Sequence, residues 1–273
     1  MNDQLLARIA DALERLAPAS PAAINWLAHP AYVWDTAGPR GVEHLVAPAL
    51  ELLRGIDAQK TLVVANVERH AAGHAAHDML LWGSRGMGKS ALIRGSIAAA
   101  QMQHPGSIAL VQVAPDALSG LTGLFSALGR VDRRFLVYID DLGFEDGDGT
   151  GPRQLRSWLE GGVEARPGNV RLAVTANRRA IVARHLSEQD DPINPRDAVD
   201  DKLALADRFG LSIGFHNCSQ DDYLAIIAGY AATYGLSFEE SDALEWSKRR
   251  GARSGRVAWQ FVTELAGRAG RTI

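Results

Sequence analysis

Two periodicities divide this chain. Between residues 77 and 215, apolar residues come in five short runs: 77–82, 107–114, 135–139, 170–175 and 211–215. Runs of five to eight residues that scarcely alternate indicate strands buried on both faces. Helical spacing fills the gaps, near 89–103, 116–129, 151–163 and, with an interruption, 178–208. This alternation predicts an α/β domain, a mainly parallel sheet with helices on both faces. After residue 219 the strand signal stops. Three helical patterns follow, near 219–234, 238–250 and 254–268, and predict a small C-terminal helical unit.

The N-terminal region reads differently. Leu5, Leu6, Ile9, Leu13 and Leu16 predict an amphipathic helix over 3–16, closed by Pro18 and Pro21. Residues 18–41 read as a Pro/Gly-punctuated connector whose Trp26, Tyr32 and Trp34 clamp onto the main domain. Residues 42–59, with Leu45, Leu52, Leu53 and Ile56 on one side, predict another helix. The expected organisation is an N-terminal helical extension and connector over 1–60, an α/β domain over 61–216 and a helical unit over 217–273.

Composition narrows the classes. A length of 273 residues is near the upper limit for one core, which suits one large domain with a small one. Apolar residues make up 47% and charged residues 22%, which excludes a disordered chain. The single cysteine, Cys218, excludes an internal disulfide, a four-cysteine zinc site and a cysteine-held iron–sulfur cluster. With 29 Lys+Arg against 32 Asp+Glu, the chain is not globally basic. The uncharged stretch Gly95–Pro115 contains Gln101, Gln103, His104 and Pro105, so it predicts no spanning helix. The first ten residues carry Asp3 and Arg8 and no apolar signal core. A cytoplasmic protein without a membrane partner is expected.

The chemistry concentrates at strand ends. Gly83-Ser84-Arg85-Gly86-Met87-Gly88-Lys89-Ser90 fits G-x-x-x-x-G-K-[ST] at every position, between a predicted strand and a predicted helix. Glycines let backbone N–H groups wrap a phosphate chain, and the helix N-terminus adds partial positive charge. Lys89 is expected to reach the β/γ-phosphates of ATP, and Ser90 to ligate Mg²⁺. The next core strand ends in Asp140-Asp141. Acids at the C-terminal end of a parallel strand sit where open α/β sheets bind ligands. Asp140 is expected in the magnesium shell and Asp141 beside the attacking water. Asn177 closes a third strand and suits the γ-phosphate or that water, although a strand-end Asn can simply turn the chain.

Together with Asp207-Arg208-Phe209-Gly210, these residues resemble the AAA+ ATPases. The resemblance makes Gly83–Ser90 the Walker A motif, Asp140-Asp141 Walker B and Asn177 sensor 1. It makes Arg208 an arginine finger, the helical tail a lid, and Arg256 the sensor-2 arginine with Arg253 as near alternative. More narrowly, the chain over roughly 45–262 resembles the bacterial predicted ATPases grouped as domain of unknown function 815. That likeness is carried by Leu52–Ile56, Leu80–Gly83, Leu159–Gly162, Thr175–Arg179 and Asp207–Leu211. Two features depart from the wider pattern. Walker B ends in Asp-Asp rather than Asp-Glu, and Asp140-Asp141-Leu142-Gly143 is also similar to helicase loaders and transposition helpers.

Other patterns weigh less. A guanidinium suits the charge that develops in phosphoryl transfer, but Arg208 could instead pair with Asp207, Asp200 or Asp201. His70, His74 and His77 would share a helix face, yet Gly73 interrupts them and a loop or surface role is expected. The acidic run through Glu145, Asp146 and Asp148 lacks a calcium-loop pattern. The tail over 248–271 holds seven Lys/Arg against Glu264 and reads as a solvated face. The sequence therefore predicts an oligomeric ATPase that binds ATP and Mg²⁺ at a subunit interface and drives a conformational change in a protein partner. The alternative is an ATP-switched nucleic-acid loader or adaptor with slow turnover. A small-molecule kinase would leave Asn177, Arg208 and the helical tail unexplained.

Overall fold

The computed structural model of the protein describes residues 24–142, 159, 166–177 and 207–273. Five parallel strands form most of its sheet: β3 (Met79–Gly83), β4 (Ile108–Val113), β5 (Arg134–Ile139), β6 (Val170–Ala176) and β7 (Leu211–Phe215). They coincide with the five apolar runs. A hairpin of β1 (Ala31–Asp35) and β2 (Gly38–Val42) extends the sheet to the order β2-β1-β4-β5-β6-β3-β7. Among the described residues, only the β1–β2 pairing is antiparallel.

The hairpin corrects the reading of 18–41 as a connector. Its turn is closed by the Ala37 amide, which donates to Asp35 Oδ1 at 2.9 Å, and by Gly38 at φ +109°. Pro39 fits because β2 is the edge strand and does not need every N–H. Trp26 and Tyr32 are buried, as the clamp reading expected.

The helix expected over 42–59 is also corrected. A short 3-10 turn occupies Leu50–Leu52, Gly55 takes φ +74°, and the helix proper, α1, runs Asp57–Ala71. Pro48 and the left-handed Gly55 interrupt the earlier pattern. In α1, by contrast, Val63, Asn66, Val67, His70 and Ala71 bury one face at three- and four-residue spacing. Lys60 Nζ donates to Leu53 O at 2.9 Å and so ties the preceding turn to α1.

Helices α2 (Lys89–Gln103) and α3 (Leu121–Leu128) follow β3 and β4. Strand alternation splits the core between the two sheet faces. Leu136 and Tyr138 pack with α1 and α2 residues such as Val67 and Ile93, whereas Val137 and Ile139 pack with Leu124 and Phe125 of α3. The C-terminal unit is α4 (Gln220–Tyr234), α5 (Glu240–Arg250) and α6 (Gly255–Arg268), close to the three predicted patterns. Ser219 and Asp222 form a capping box that starts α4, and Gly235 at φ +61° ends it. Trp259 of α6 lies against Tyr230 and Tyr234 of α4, with ring centroids 5.0 and 5.9 Å apart. The expected helices over 3–16, 151–163 and 178–208 lie outside the described residues, except for Leu159, Asp207 and Arg208.

Candidate nucleotide site

The strand order decides which chain segments meet. β6 lies between β5 and β3, so the ends of β3, β5 and β6 stand side by side at one edge. Gly83 ends β3 beside Phe215 of β7. It has φ +120°, and a Cβ there would lie 2.0 Å from the Phe215 carbonyl oxygen, so only glycine fits. Gly88, at φ +85°, is the N-cap of α2, and the loop from Gly83 delivers the helix N-terminus to the sheet edge.

Within the loop, Lys89 Nζ donates to the carbonyl oxygens of Gly83 and Ser84 at 2.8 and 2.9 Å. Burial pulls the ammonium below its ordinary pKa. Asp141 and Asp140 oppose that shift, and Arg85 and Arg256 add to it. Ser84 Oγ donates to Asn217 Oδ1 at 2.6 Å, which anchors the loop's base after β7.

Asp140 Oδ1 accepts from Ser90 Oγ at 2.8 Å and from Thr175 Oγ1 at 2.7 Å. Burial disfavours its charge, but the hydroxyls of Tyr138, Thr175 and Ser90 outweigh that and keep the carboxyl below the ordinary carboxylate range. The Tyr138 hydroxyl, buried without full hydrogen-bond geometry, is in turn pushed above its ordinary pKa by burial and by Asp140. Asp141 adopts φ +50°, and its carboxylate accepts from the Asn177 side-chain amide. Arg85 Nη2 lies 4.0 Å from Asp141 Oδ2, with both groups exposed, so this pair contributes little to stability.

These groups open into a cavity of about 560 Å³. Arg85, Gly86, Met87, Gly88, Lys89, Ser90, Asp140, Asp141, Asn177 and Arg256 all line it. Gly83 and Ser84 form the base of the loop behind it. Arg253 is not among the lining residues, so of Arg253 and Arg256 it is Arg256 that faces the cavity. The Arg256 amide donates to Gly86 O at 3.1 Å, which docks the start of α6 on the loop. Arg208 stands elsewhere. It precedes Leu211, which pairs with Met79 at the opposite end of β3 from Gly83, and four strand steps span about 13 Å.

Sequence reasoning missed the cavity's apolar wall. Leu53 and Ile56 come from the turn before α1, Ile226 and Tyr230 from α4, and Trp259 from α6. Leu53 and Ile56 fall in a stretch that carried the family resemblance. Tyr230 and Trp259 had no local signal. Thr175 lies in the stretch Thr175–Arg179 of the family resemblance and has no site signal of its own.

The donor set suits a hard cation. Ser90 and Asp140 present oxygens 2.8 Å apart, and among the described residues no group of three His, Cys, Asp or Glu could hold a metal. Mg²⁺ is commonly held by one or two protein oxygens together with substrate phosphates and water, which fits this arrangement. The histidine expectation is corrected at one position. His70 is buried, its Nε2 is 3.1 Å from Phe135 O, and burial, with Arg171, Arg134 and Arg166 nearby, lowers its pKa to about 4.

The family model described as Protein of unknown function (DUF815) matches residues 27–269. The chain belongs to that family. No curated protein matches it in sequence. Among solved structures, this DUF815 member is similar to the Thermotoga maritima RuvB Holliday junction branch migration motor. The TM-score is 0.52 at 18% identity, covering 84% of this chain and 68% of that one. It is also similar to the Aeropyrum pernix ORC2 protein in its ADPNP–ADP complexes, with TM-score 0.54, 16% identity and coverages of 84% and 67%. The Aeropyrum pernix ORC1 protein in complex with DNA gives TM-score 0.53, 15% identity and coverages of 85% and 68%. The fold is thus that of the AAA+ P-loop ATPases. No helix among the described residues is long and apolar enough to cross a membrane.

Proposed function

We propose that this protein binds MgATP in the cavity between the phosphate loop and the C-terminal helices, hydrolyses it at a subunit interface, and uses the cycle to move a partner. The observation that carries this reading is the convergence of Lys89, the Ser90–Asp140 pair and the Asn177–Asp141 pair on one cavity roofed by Arg256. The triphosphate would take the loop N–H groups, and Lys89 would exchange its two loop carbonyls for phosphate oxygens. The apolar wall of Leu53, Ile56, Tyr230 and Trp259 would receive the base. When bound, Mg²⁺ would neutralise phosphate charge beside Ser90 and Asp140. Asp141, oriented by Asn177, would take the proton of the attacking water. Arg208 cannot span its own sheet to that water, so in this reading it serves a neighbouring subunit. The α4–α6 unit, joined to the loop at Gly86, would act as the lid that senses nucleotide.

A second reading has ATP as a slow switch on a nucleic-acid loader. The short Asp141 side chain favours it, as does the fold likeness to a protein solved with DNA. One experiment separates them: sizing the purified protein with and without ATP while measuring turnover with and without DNA. The first reading expects ATP-dependent assembly and DNA-independent turnover. Tight nucleotide binding, slow turnover and a response to DNA would support the loader. A protein that binds no nucleotide would overturn both.

A further inference from the structure

One buried hydroxyl touches both acids of the site. Thr175 is 1% exposed, on β6 two residues before Asn177. Its Oγ1 donates to Asp140 Oδ1 at 2.7 Å and accepts from the Asp141 amide at 2.8 Å. Its carbonyl accepts from the Leu142 amide at 2.7 Å. A threonine hydroxyl has one proton and two lone pairs, and here the proton goes to the carboxylate while a lone pair takes the N–H. Asp141 needs such support. Its φ of +50° is a conformation that non-glycine residues seldom adopt, and strain of this kind persists only where the surroundings over-determine it.

We infer that Thr175 is the positioning residue of the nucleotide site. Its hydroxyl holds Asp140 in line with Ser90, and its bond to the Asp141 amide sets the left-handed turn that aims the Asp141 carboxylate at the cavity. Asn177 then orients that carboxylate from the other side. This role rests on the MgATP reading above and names the residue that couples its cation shell to its water-activating acid. A purely packing role would be met equally well by valine, which matches threonine in shape and β-propensity. The two short bonds from one buried hydroxyl distinguish the alternatives.

The test compares Thr175→Val, which keeps the shape, with Thr175→Ser, which keeps the hydroxyl. A fluorescent ATP analogue is titrated in EDTA and then against Mg²⁺, and turnover is measured alongside. Thr175→Val should bind the analogue in EDTA as wild type does. It should need about 10–100-fold more Mg²⁺ for half-maximal response and lose turnover by a similar factor, as loss of a group supporting metal ligands commonly does. Thr175→Ser should restore both readouts to near wild type. Should valine prevent folding, Thr175→Ala removes the same hydroxyl with less bulk and carries the same expectation. Wild-type Mg²⁺ response and turnover in the variant lacking the hydroxyl would overturn the inference. So would a serine variant as impaired as the valine one, because the lost methyl would then be the cause. A wild-type protein that binds no nucleotide would overturn the MgATP reading itself, and this role with it.

Discussion

The ammonium of Lys89 is bonded to the carbonyl of Gly83, six residues earlier and 2.8 Å away, so the loop's own backbone satisfies the charge that the site would offer to phosphate. Removing that side chain should leave the loop shape intact, since Gly83, Gly86 and Gly88 set it through their backbone angles. It should abolish the point charge. Hydrogen bonds to charged groups are each worth about 1.5–3 kcal/mol. Lys89→Ala should therefore bind MgATP at least about tenfold more weakly by calorimetry. Unchanged affinity would reject the phosphate-loop role.

Asp141→Asn should separate binding from chemistry. Asparagine tolerates the left-handed region better than most residues, so the turn at φ +50° should survive. The negative charge is lost, and with it the capacity to accept a proton. General bases contribute ~10²–10⁴-fold, so turnover should drop by at least about a hundredfold while nucleotide binding persists. Wild-type turnover in this variant would shift the search to Glu145 and Glu160.

Arg208→Ala should bind ATP but scarcely hydrolyse it, because an arginine supplied by a neighbour is worth ~10³–10⁵ in rate. Mixing Arg208→Ala with Lys89→Ala should recover part of the activity. A Lys89→Ala subunit keeps its Arg208 and can lend it to a neighbour whose loop works. A mixture no more active than its separate components, with subunit exchange verified, would point to an intrachain role for Arg208.

His70 should make the fold sensitive to mild acid. Its pKa is near 6.5 in an unfolded chain and about 4 in the folded one. Between those values the unfolded state binds a proton that the folded state refuses, so stability falls as pH drops from about 6.5 to about 4 and levels off below. The full effect is on the order of 3 kcal/mol. Denaturant titrations of wild type and His70→Gln across that window should show a shallower slope in the variant. Parallel slopes would mean His70 is not the group responsible.

Much of the site was legible before any tertiary contact was known. The inner strands β3, β4, β5 and β6 announce themselves as apolar runs because strands covered on both faces have little polar side to show. The loop Gly83–Ser90 is legible because its own backbone demands glycines, as the positive φ angles of Gly83, Gly86 and Gly88 make concrete. Asp140, Asp141 and Asn177 stand out as polar residues ending apolar strands. The hairpin at Ala31–Val42 was hidden for the opposite reason, since an edge strand tolerates the Pro39 and Gly41 that a buried strand would not.

Local pattern determined the five parallel strands, the C-terminal helices, the phosphate loop and the acids at the strand ends. The tertiary structure decided what they face. Inserting β6 between β5 and β3 brings Thr175 and Asn177 onto Asp140 and Asp141. Docking α6 on Gly86 turns Arg256 rather than Arg253 into the cavity and brings Trp259 and Tyr230 to its apolar wall. Packing α1 against the sheet buries His70 beneath Phe135. Each of these contacts joins residues far apart in the chain. Periodicity reports only which side of an element is apolar, whereas the partner that covers it is chosen by strand order and helix packing.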